Sequence, residues 1–560
     1  VHGLPIIEHA EFGRNVPDEA MPDEDKMNLG KIYHMGKEEA AGLLLNRQAM
    51  ASHTFITGST GTGKSNAVYH LLDEITKNGQ TTFLVVEPAK GEYKNVFGNC
   101  TDAQVFGTNP RETPLLRMNP FAFPENIHIL EHIDRLVEIF NACWPMYAAM
   151  PAVLKDAIER SYQKVGWDLR NSESEKGIFP TFFDLLDILP GVIEESHYSK
   201  DTQSDYVGAL CTRVKSLTNG IYGSVLCAED ALSDAEMFDQ NVIVDLSRVG
   251  SMETKSLLMG ILVMKLQEYR MCSSGMNSRL RHVTVLEEAH NLLRKTSAEQ
   301  SQEGANLQGK SVEMLANAIA EMRTYGEGFI IADQAPGLLD MSVIRNTNTK
   351  IILRLPDEED RKLVGKSAAL KEAQIDELSK LPLGVAAVYQ NEWPEAVLCK
   401  IEAYPMPENA VYHKPSKMPH EINAEFVFGQ LAVGKELKPL SSSEMEQLKL
   451  WLKRHETVLK PEDSRYLERV FAGGELDVAK TRKAVFDFFG GIGTVVDYCA
   501  AAKKSLTPRK EFLEQLQGQY GLKAAAADWV LNSVISMGMS LNPDAKAVDN
   551  LRTNFEQQGG

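Results

Sequence analysis

Between His53 and Ile401, short apolar runs rich in β-branched residues alternate with longer segments of mixed apolar and polar positions. Runs that stay apolar at consecutive positions suit strands buried on both faces, and the longer segments suit crossover helices. The pattern therefore predicts an α/β core around a parallel-rich sheet. The predicted strands are His53–Thr57, Thr81–Glu87, Gln104–Gly107, Asn241–Leu246, His282–Leu286, Phe329–Asp333 and Lys350–Leu355. From about 125 to 239 the rhythm breaks, and Ile129–Phe140, Val153–Tyr162, Phe182–Leu189 and Tyr206–Leu217 read as helices of an insertion between core strands. Gly384–Gln390 and Glu395–Ile401, joined by a short polar turn, predict an antiparallel hairpin at the sheet edge.

Pro405, Pro407, Pro415 and Pro419 mark a linker, and from Ser442 onward the periodicity is helical. Thr507-Pro508 through Ile535 has the spacing of two helices around Gly521, which fits either a winged-helix-like module or a plain helical bundle. The expected organisation is an N-terminal segment 1–48, a core 49–405 with its insertion at about 125–239, a linker 406–441 and a helical C-terminal region 442–560. Val1 in place of Met leaves a preceding N-terminal portion open.

Length and composition narrow the class. A chain of 560 residues with 43% hydrophobic content builds several cores, about two to four. A formal net charge of −18 argues against a surface that clings everywhere to nucleic acid, so any DNA contact must be local, on pore loops. Cys100, Cys143, Cys211, Cys227, Cys272, Cys399 and Cys499 form no CxxC pair and read as reduced thiols. No run approaches the roughly 18 to 20 apolar residues a membrane span needs, so a soluble, cytoplasmic protein without membrane insertion is expected.

The strongest chemical signal is Gly58-Ser59-Thr60-Gly61-Thr62-Gly63-Lys64-Ser65, which follows a predicted strand and opens the helical pattern Asn66–Ile75. This is the P-loop pattern in the strand–loop–helix context it requires. Backbone N–H groups from Gly58, Thr60, Gly61, Thr62 and Gly63 wrap the phosphates of ATP, and the helix opening at Asn66 presents its positive end to them. Lys64 reaches the β- and γ-phosphates, and the Ser65 hydroxyl ligates Mg²⁺. Glu287 and Glu288 close the strand before Ala289-His290, where such enzymes place a metal-holding acid and a general base. Glu287 occupies a place where Asp is more usual, so its reach to Mg²⁺ is expected through water. Gln334, at the tip of the next strand, is able to bond both water and the γ-phosphate; a capped loop amide is its plainer reading. Arg323, Arg345 and Arg354 are candidates for a cation at the transition state, as an arginine finger acting in trans on a neighbouring subunit, with surface salt bridging as the plainer reading of each; Arg323 is taken first, and the sequence does not decide which acts. Arg294-Lys295, Arg111 and Arg117 are candidate DNA contacts, with ordinary solvated charge as the plainer reading.

Taken in order, GSTGTGKS at Gly58–Ser65, EPAKGEY at Glu87–Tyr93, NVIVDLS at Asn241–Ser247, LEEAH at Leu286–His290, RTYGEG at Arg323–Gly328 and ADQ at Ala332–Gln334 resemble the HerA branch of the HerA/FtsK superfamily over about His53 to Tyr404. The resemblance implies a RecA-like P-loop NTPase core in a homohexameric ring that threads double-stranded DNA using ATP. It implies an N-terminal β-barrel, with Asn28–Ile32 as the exit from it, and a nucleotide-proximal acid at Glu87 that positions water or metal, although Asp is commoner there. It further implies a partner, either a nuclease or a sirtuin-like NAD hydrolase; the helical C-terminal region tilts the expectation toward antiviral defence. Two other readings share the motifs, a scaffold that regulates an effector enzyme and a conjugative or type IV secretion ATPase.

Overall fold

The computed structural model describes residues 9–541 apart from 17–20, 101, 148, 175–176, 229–230, 297–306, 407–409, 415–421, 434–436, 438, 441 and 505–506. Pro407, Pro415 and Pro419 of the expected linker lie outside the described residues. Thirteen strands are present among those described: β1 (Lys26–His34), β2 (Lys37–Asn46), β3 (Thr54–Thr57), β4 (Thr82–Glu87), β5 (Ala103–Gly107), β6 (Trp167–Asp168), β7 (Glu173–Ser174), β8 (Asn241–Asp245), β9 (His282–Glu287), β10 (Glu327–Asp333), β11 (Thr349–Ile352), β12 (Val385–Gln390) and β13 (Val397–Ile401).

Eleven of these form one sheet in the order β2-β1-β13-β12-β11-β3-β10-β9-β4-β8-β5. From β11 to β5 every neighbouring pair is parallel, and from β11 to β2 every pair is antiparallel. The central strands β3, β8, β9 and β10 are buried at every position, which is why they read as unbroken apolar runs. This is the expected α/β, RecA-like architecture.

Asn28–Ile32, expected as the exit from a barrel, lie in β1, which pairs with β13 and extends the main sheet. Gly30 is required at that junction: its φ is +151, and a Cβ there would stand 2.1 Å from the Lys400 carbonyl oxygen. The chain after β13 also stays with the sheet. The Asn66 amide donates to the Glu402 carbonyl at 3.0 Å and accepts from the Tyr404 N–H at 2.8 Å.

The chain divides into two compact units. The first, residues 1–116, 123–151 and 233–414, contains the eleven-stranded sheet. Its core joins Val68, Leu71 and Leu72 of the helix Lys64–Thr76 to strand residues such as Ile56, Val285 and Ile330. The second unit comprises 117–122, 152–232 and 415–560. Most of the insertion and the C-terminal region, separate in the sequence reading, thus fold together. In that unit, glycines 223 and 518 bring the helices Gly220–Leu226 and Pro508–Tyr520 close; a Cβ on Gly223 would stand 3.4 Å from Gly518 Cα. The helices Pro508–Tyr520 and Ala524–Leu541 flank Gly521, whose φ of +68 ends the first of them. From 442 on, every described regular element is a helix, with no strand pair to form a wing. No single helix among the described residues is long and apolar enough to cross a membrane. The bent pair Val478–Phe488 and Gly491–Ala501 has the length and composition, and it buries Val485, Phe486, Phe488 and Tyr498 in the helical core.

Candidate active site

Parallel strands deliver their C-terminal ends to one edge of the sheet, where such folds place ligands. Sheet order decides which residues meet there. The loop Gly58–Ser65 leaves β3, Gln334 follows β10, Glu287 and Glu288 close β9, Glu87 closes β4 and Asp245 closes β8, and these strands are neighbours in that order.

The loop is a backbone cradle. Gly61 and Gly63 take φ of +76 and +104, a region that side chains disfavour. Thr62 Oγ1 donates to the Ser59 carbonyl at 2.7 Å. A Cβ on Gly58 would stand 2.7 Å from Leu353 Cβ and from Thr62 Oγ1, so the loop closes only around glycine. Lys64 then opens the helix Lys64–Thr76, whose free N–H groups suit phosphate.

Lys64 is 7% exposed, with Nζ 3.4 Å from Glu287 Oε2 and 3.2 Å from Glu288 Oε1. A buried ammonium requires opposite charge, and these carboxylates supply it. Glu288 sits at φ +45, a sparsely populated conformation of the kind found at functional sites. The Gln334 amide joins the two halves of the site: its Oε1 accepts from Thr60 Oγ1 at 2.7 Å, and its Nε2 donates to Glu288 Oε1.

Two flanks support these groups. On one, Tyr93 is buried and donates its hydroxyl to Glu287 Oε1 at 2.5 Å. Glu87 accepts from the backbone N–H of Glu92 at 2.8 Å and of Tyr93 at 3.1 Å. Burial, aided by the nearby Asp245 and Glu287 charges, pushes the Glu87 carboxyl up to about 8 despite those two donors. Asp245 accepts from Lys94 at 2.6 Å; burial works to raise its carboxyl, and Lys94 with Ser247 outweighs burial and holds it below the usual range. On the other flank, Asp333 accepts from the His290 backbone N–H at 2.8 Å and lies 2.9 Å from His290 Nδ1; that hydrogen bond raises the imidazole.

The Ser65 hydroxyl and the Glu287 carboxylate are hard oxygen donors suited to Mg²⁺, and the glycine cradle sits at the start of the helix; within it the Thr62 N–H, expected on phosphate, donates to the Ser59 carbonyl at 3.2 Å. The residues present therefore fit a magnesium nucleotide. Glu288 completes the cluster, its Oε1 shared by the Lys64 ammonium and the Gln334 amide.

The HerA helicase central-domain profile matches residues 27–329, a span that holds the loop, Glu87, Tyr93 and the Glu287-Glu288 pair. The chain belongs to the HerA helicase family. As a HerA-type P-loop ATPase it is an ATP-hydrolysing enzyme. It is 25% identical over 392 residues to the DNA double-strand break repair helicase HerA of Sulfolobus acidocaldarius, covering 68% of this chain and 69% of that one. A probable helicase of Methanocaldococcus jannaschii is 23% identical over 436 residues, covering 71% of this chain and 76% of the relative. Among solved structures, VirB4 of Thermoanaerobacter pseudethanolicus has a TM-score of 0.52 at 18% identity, over 69% of this chain and 98% of that one, which is a likeness of fold.

Within this HerA-type site the structure gathers Gly58, Thr60, Gly61, Thr62, Gly63, Lys64, Ser65, Glu287, Glu288 and Gln334 at one edge. It does not gather Arg323. That residue precedes β10, at the opposite end from Gln334, roughly 20 Å away by the rise of a strand. Arg345 likewise precedes the start of β11, whereas Arg354 follows its end and its carbonyl accepts from the Ser59 N–H at 3.0 Å. Glu87 spends both oxygens on loop N–H groups, and the Asn66 amide is engaged with Glu402 and Tyr404. Arg117, a candidate DNA contact, is buried, while Arg111, Arg294 and Lys295 are exposed. Sequence reasoning missed the roles of Tyr93, Lys94, Asp245, His290 and Asp333. The usable signal was position: Asp245 and Asp333 are, like Glu87 and Glu287, the last residues of neighbouring strands.

Proposed function

We propose that this HerA-family ATPase is a ring-forming motor that moves along double-stranded DNA, with Glu288 as general base and Gln334 as the group that senses it. In this reading the Gly58–Ser65 amides and Lys64 hold the ATP phosphates, and Ser65 and Glu287 hold Mg²⁺, which neutralises charge on the phosphates when bound. Glu288 accepts the proton of the attacking water. Gln334, tied to both Thr60 and Glu288, is placed to carry the state of the γ-phosphate to β10 and the loop beyond. What supports the DNA side is that the exposed Arg294 and Lys295 lie on the same loop as Glu288, where Lys295 donates its backbone N–H to the Leu338 carbonyl at 2.8 Å, on the segment following Gln334. The repair-helicase name of the Sulfolobus relative points the same way.

The test is ATP hydrolysis by the purified chain with and without double-stranded DNA, alongside its mass in solution. Strong stimulation by DNA in a particle of about six protomers is the expected result. A second reading is favoured by the net charge of −18: an ATPase ring that regulates an effector, a nuclease or a sirtuin-like NAD hydrolase, without obligatory translocation. Turnover indifferent to DNA would select it.

A further inference from the structure

The segment Gly91-Glu92-Tyr93 contributes no group to the phosphate cradle, yet its geometry is tightly determined. Lys90 and Gly91 take φ of +64 and +69, turning the chain twice through the left-handed region. A Cβ on Gly91 would stand 2.9 Å from Ser247 Oγ and 3.2 Å from Asp245 Oδ2, so the turn is pressed against the end of β8. That turn delivers the N–H groups of Glu92 and Tyr93 to Glu87. The Tyr93 ring packs edge-on against Tyr69 of the helix Lys64–Thr76, with centroids 4.9 Å apart. Backbone and ring are therefore both fixed, and the hydroxyl ends 2.5 Å from Glu287 Oε1, while Glu287 Oε2 faces Lys64 at 3.4 Å.

We propose that Tyr93 is the positioning residue for Mg²⁺ binding: by holding one oxygen of Glu287, its hydroxyl presents the other on the Lys64–Ser65 side. A glutamate has one more rotatable bond than the aspartate usual at this place, and a buried donor on one oxygen removes that freedom. The inference rests on the assignment of Glu287 to the metal.

Binding of ADP is measured while Mg²⁺ is titrated, for the full chain, Tyr93→Phe, Glu287→Gln and the double variant, with the melting temperature of each. Tyr93→Phe is expected to bind ADP within about twofold of the parent without Mg²⁺, and to require about tenfold more Mg²⁺ for half-maximal tightening, the loss typical of one hydrogen bond to a charged group. In the Glu287→Gln background the second substitution is expected to add nothing. An unshifted Mg²⁺ midpoint in Tyr93→Phe overturns the proposal when Glu287→Gln does shift it, and a lower melting temperature with that unshifted midpoint overturns it in favour of packing alone. If Glu287→Gln leaves the midpoint unmoved, the metal assignment itself falls.

Discussion

Glu87 is a carboxyl pulled in two directions. Two backbone N–H donors favour its charge, while burial beside Asp245 and Glu287 disfavours it more and lifts it from an ordinary 4.5 to about 8. In the unfolded chain the proton leaves near the ordinary value, so between about 4.5 and about 8 folding takes up a proton. The associated stability is full at the lower end and is lost as pH rises through the upper one. Of the groups facing Glu87, Asp245 is held below the usual range by Lys94, so its titration lies outside this window. Glu87→Gln gives up one of the two N–H bonds, because only the oxygen of an amide accepts, and it carries no titration. Melting temperatures measured from about pH 6 to about pH 9 should therefore fall more steeply for the parent than for Glu87→Gln; parallel slopes would mean that Glu87 is already ionised. The same residue marks the limit of sequence reading at this scale. Gly58–Ser65 and the Glu287-Glu288 pair were legible because local spacing carries their chemistry. The contacts Tyr93–Glu287 and Thr60–Gln334 join residues 194 and 274 positions apart, and only sheet order brings them together. Arg323 stands at the far end of β10 from Gln334, a placement that a local motif does not give and that leaves open a finger acting on a neighbouring subunit.

At the scale of elements, the central strands were legible within a few residues because burial on both faces leaves an unbroken apolar signature. The hairpin β1–β2 was not: residues 37–42 of β2 are mostly exposed, and the apolar run Leu43–Leu45 covers only its end. The stretch after β13 was also opaque, since side-chain amides hold it without strand pairing. Asn99 donates to the Val411 carbonyl at 2.9 Å and accepts from the His413 N–H at 3.1 Å, and Asn95 accepts from the Tyr412 N–H at 2.9 Å. With Asn66 at Glu402 and Tyr404, the described residues 402–406 and 410–414 are strapped to the helices that carry Lys64 and Tyr93 and to Asn99 beyond the second of them. Replacing Asn99 with Ala removes two of these bonds, each worth about 1 kcal/mol. Amide hydrogen exchange at His413 should accelerate about fivefold, the factor that matches one such bond, while exchange at Tyr404 stays at the parent rate. Equal acceleration at both would show that the strap opens as one piece, and no change at His413 would show that Asn99 does not hold it.

Over the whole molecule, the proposed DNA motor is acidic, and on that reading it has to concentrate its phosphate contacts. The second unit is assembled from three separate stretches of sequence, an arrangement that a linear reading of boundaries does not reveal, and Arg117 is buried within it. Arg294 and Lys295, like Arg111, are exposed, and they lie a few residues past Glu288, where the Arg294–Leu339 bridge and the Lys295 bond to Leu338 fix the backbone against the segment after Gln334. A contact there would be coupled to the site on both sides, through Glu288 and through Gln334. Each cation that neutralises a phosphate adds about 0.9 to the slope of log affinity against log salt. The Arg294→Ala, Lys295→Ala double variant should therefore bind duplex DNA with a slope shallower by about 1.8 for every protomer engaged. Its DNA-free ATP turnover should match the parent, because neither side chain touches Lys64, Glu287, Glu288 or Gln334 among the described contacts, and stimulation by DNA should be lost. An unchanged slope with stimulation intact would move the contact elsewhere, to exposed Arg111 first; a fall in DNA-free turnover would mean that the loop serves the nucleotide site rather than the DNA.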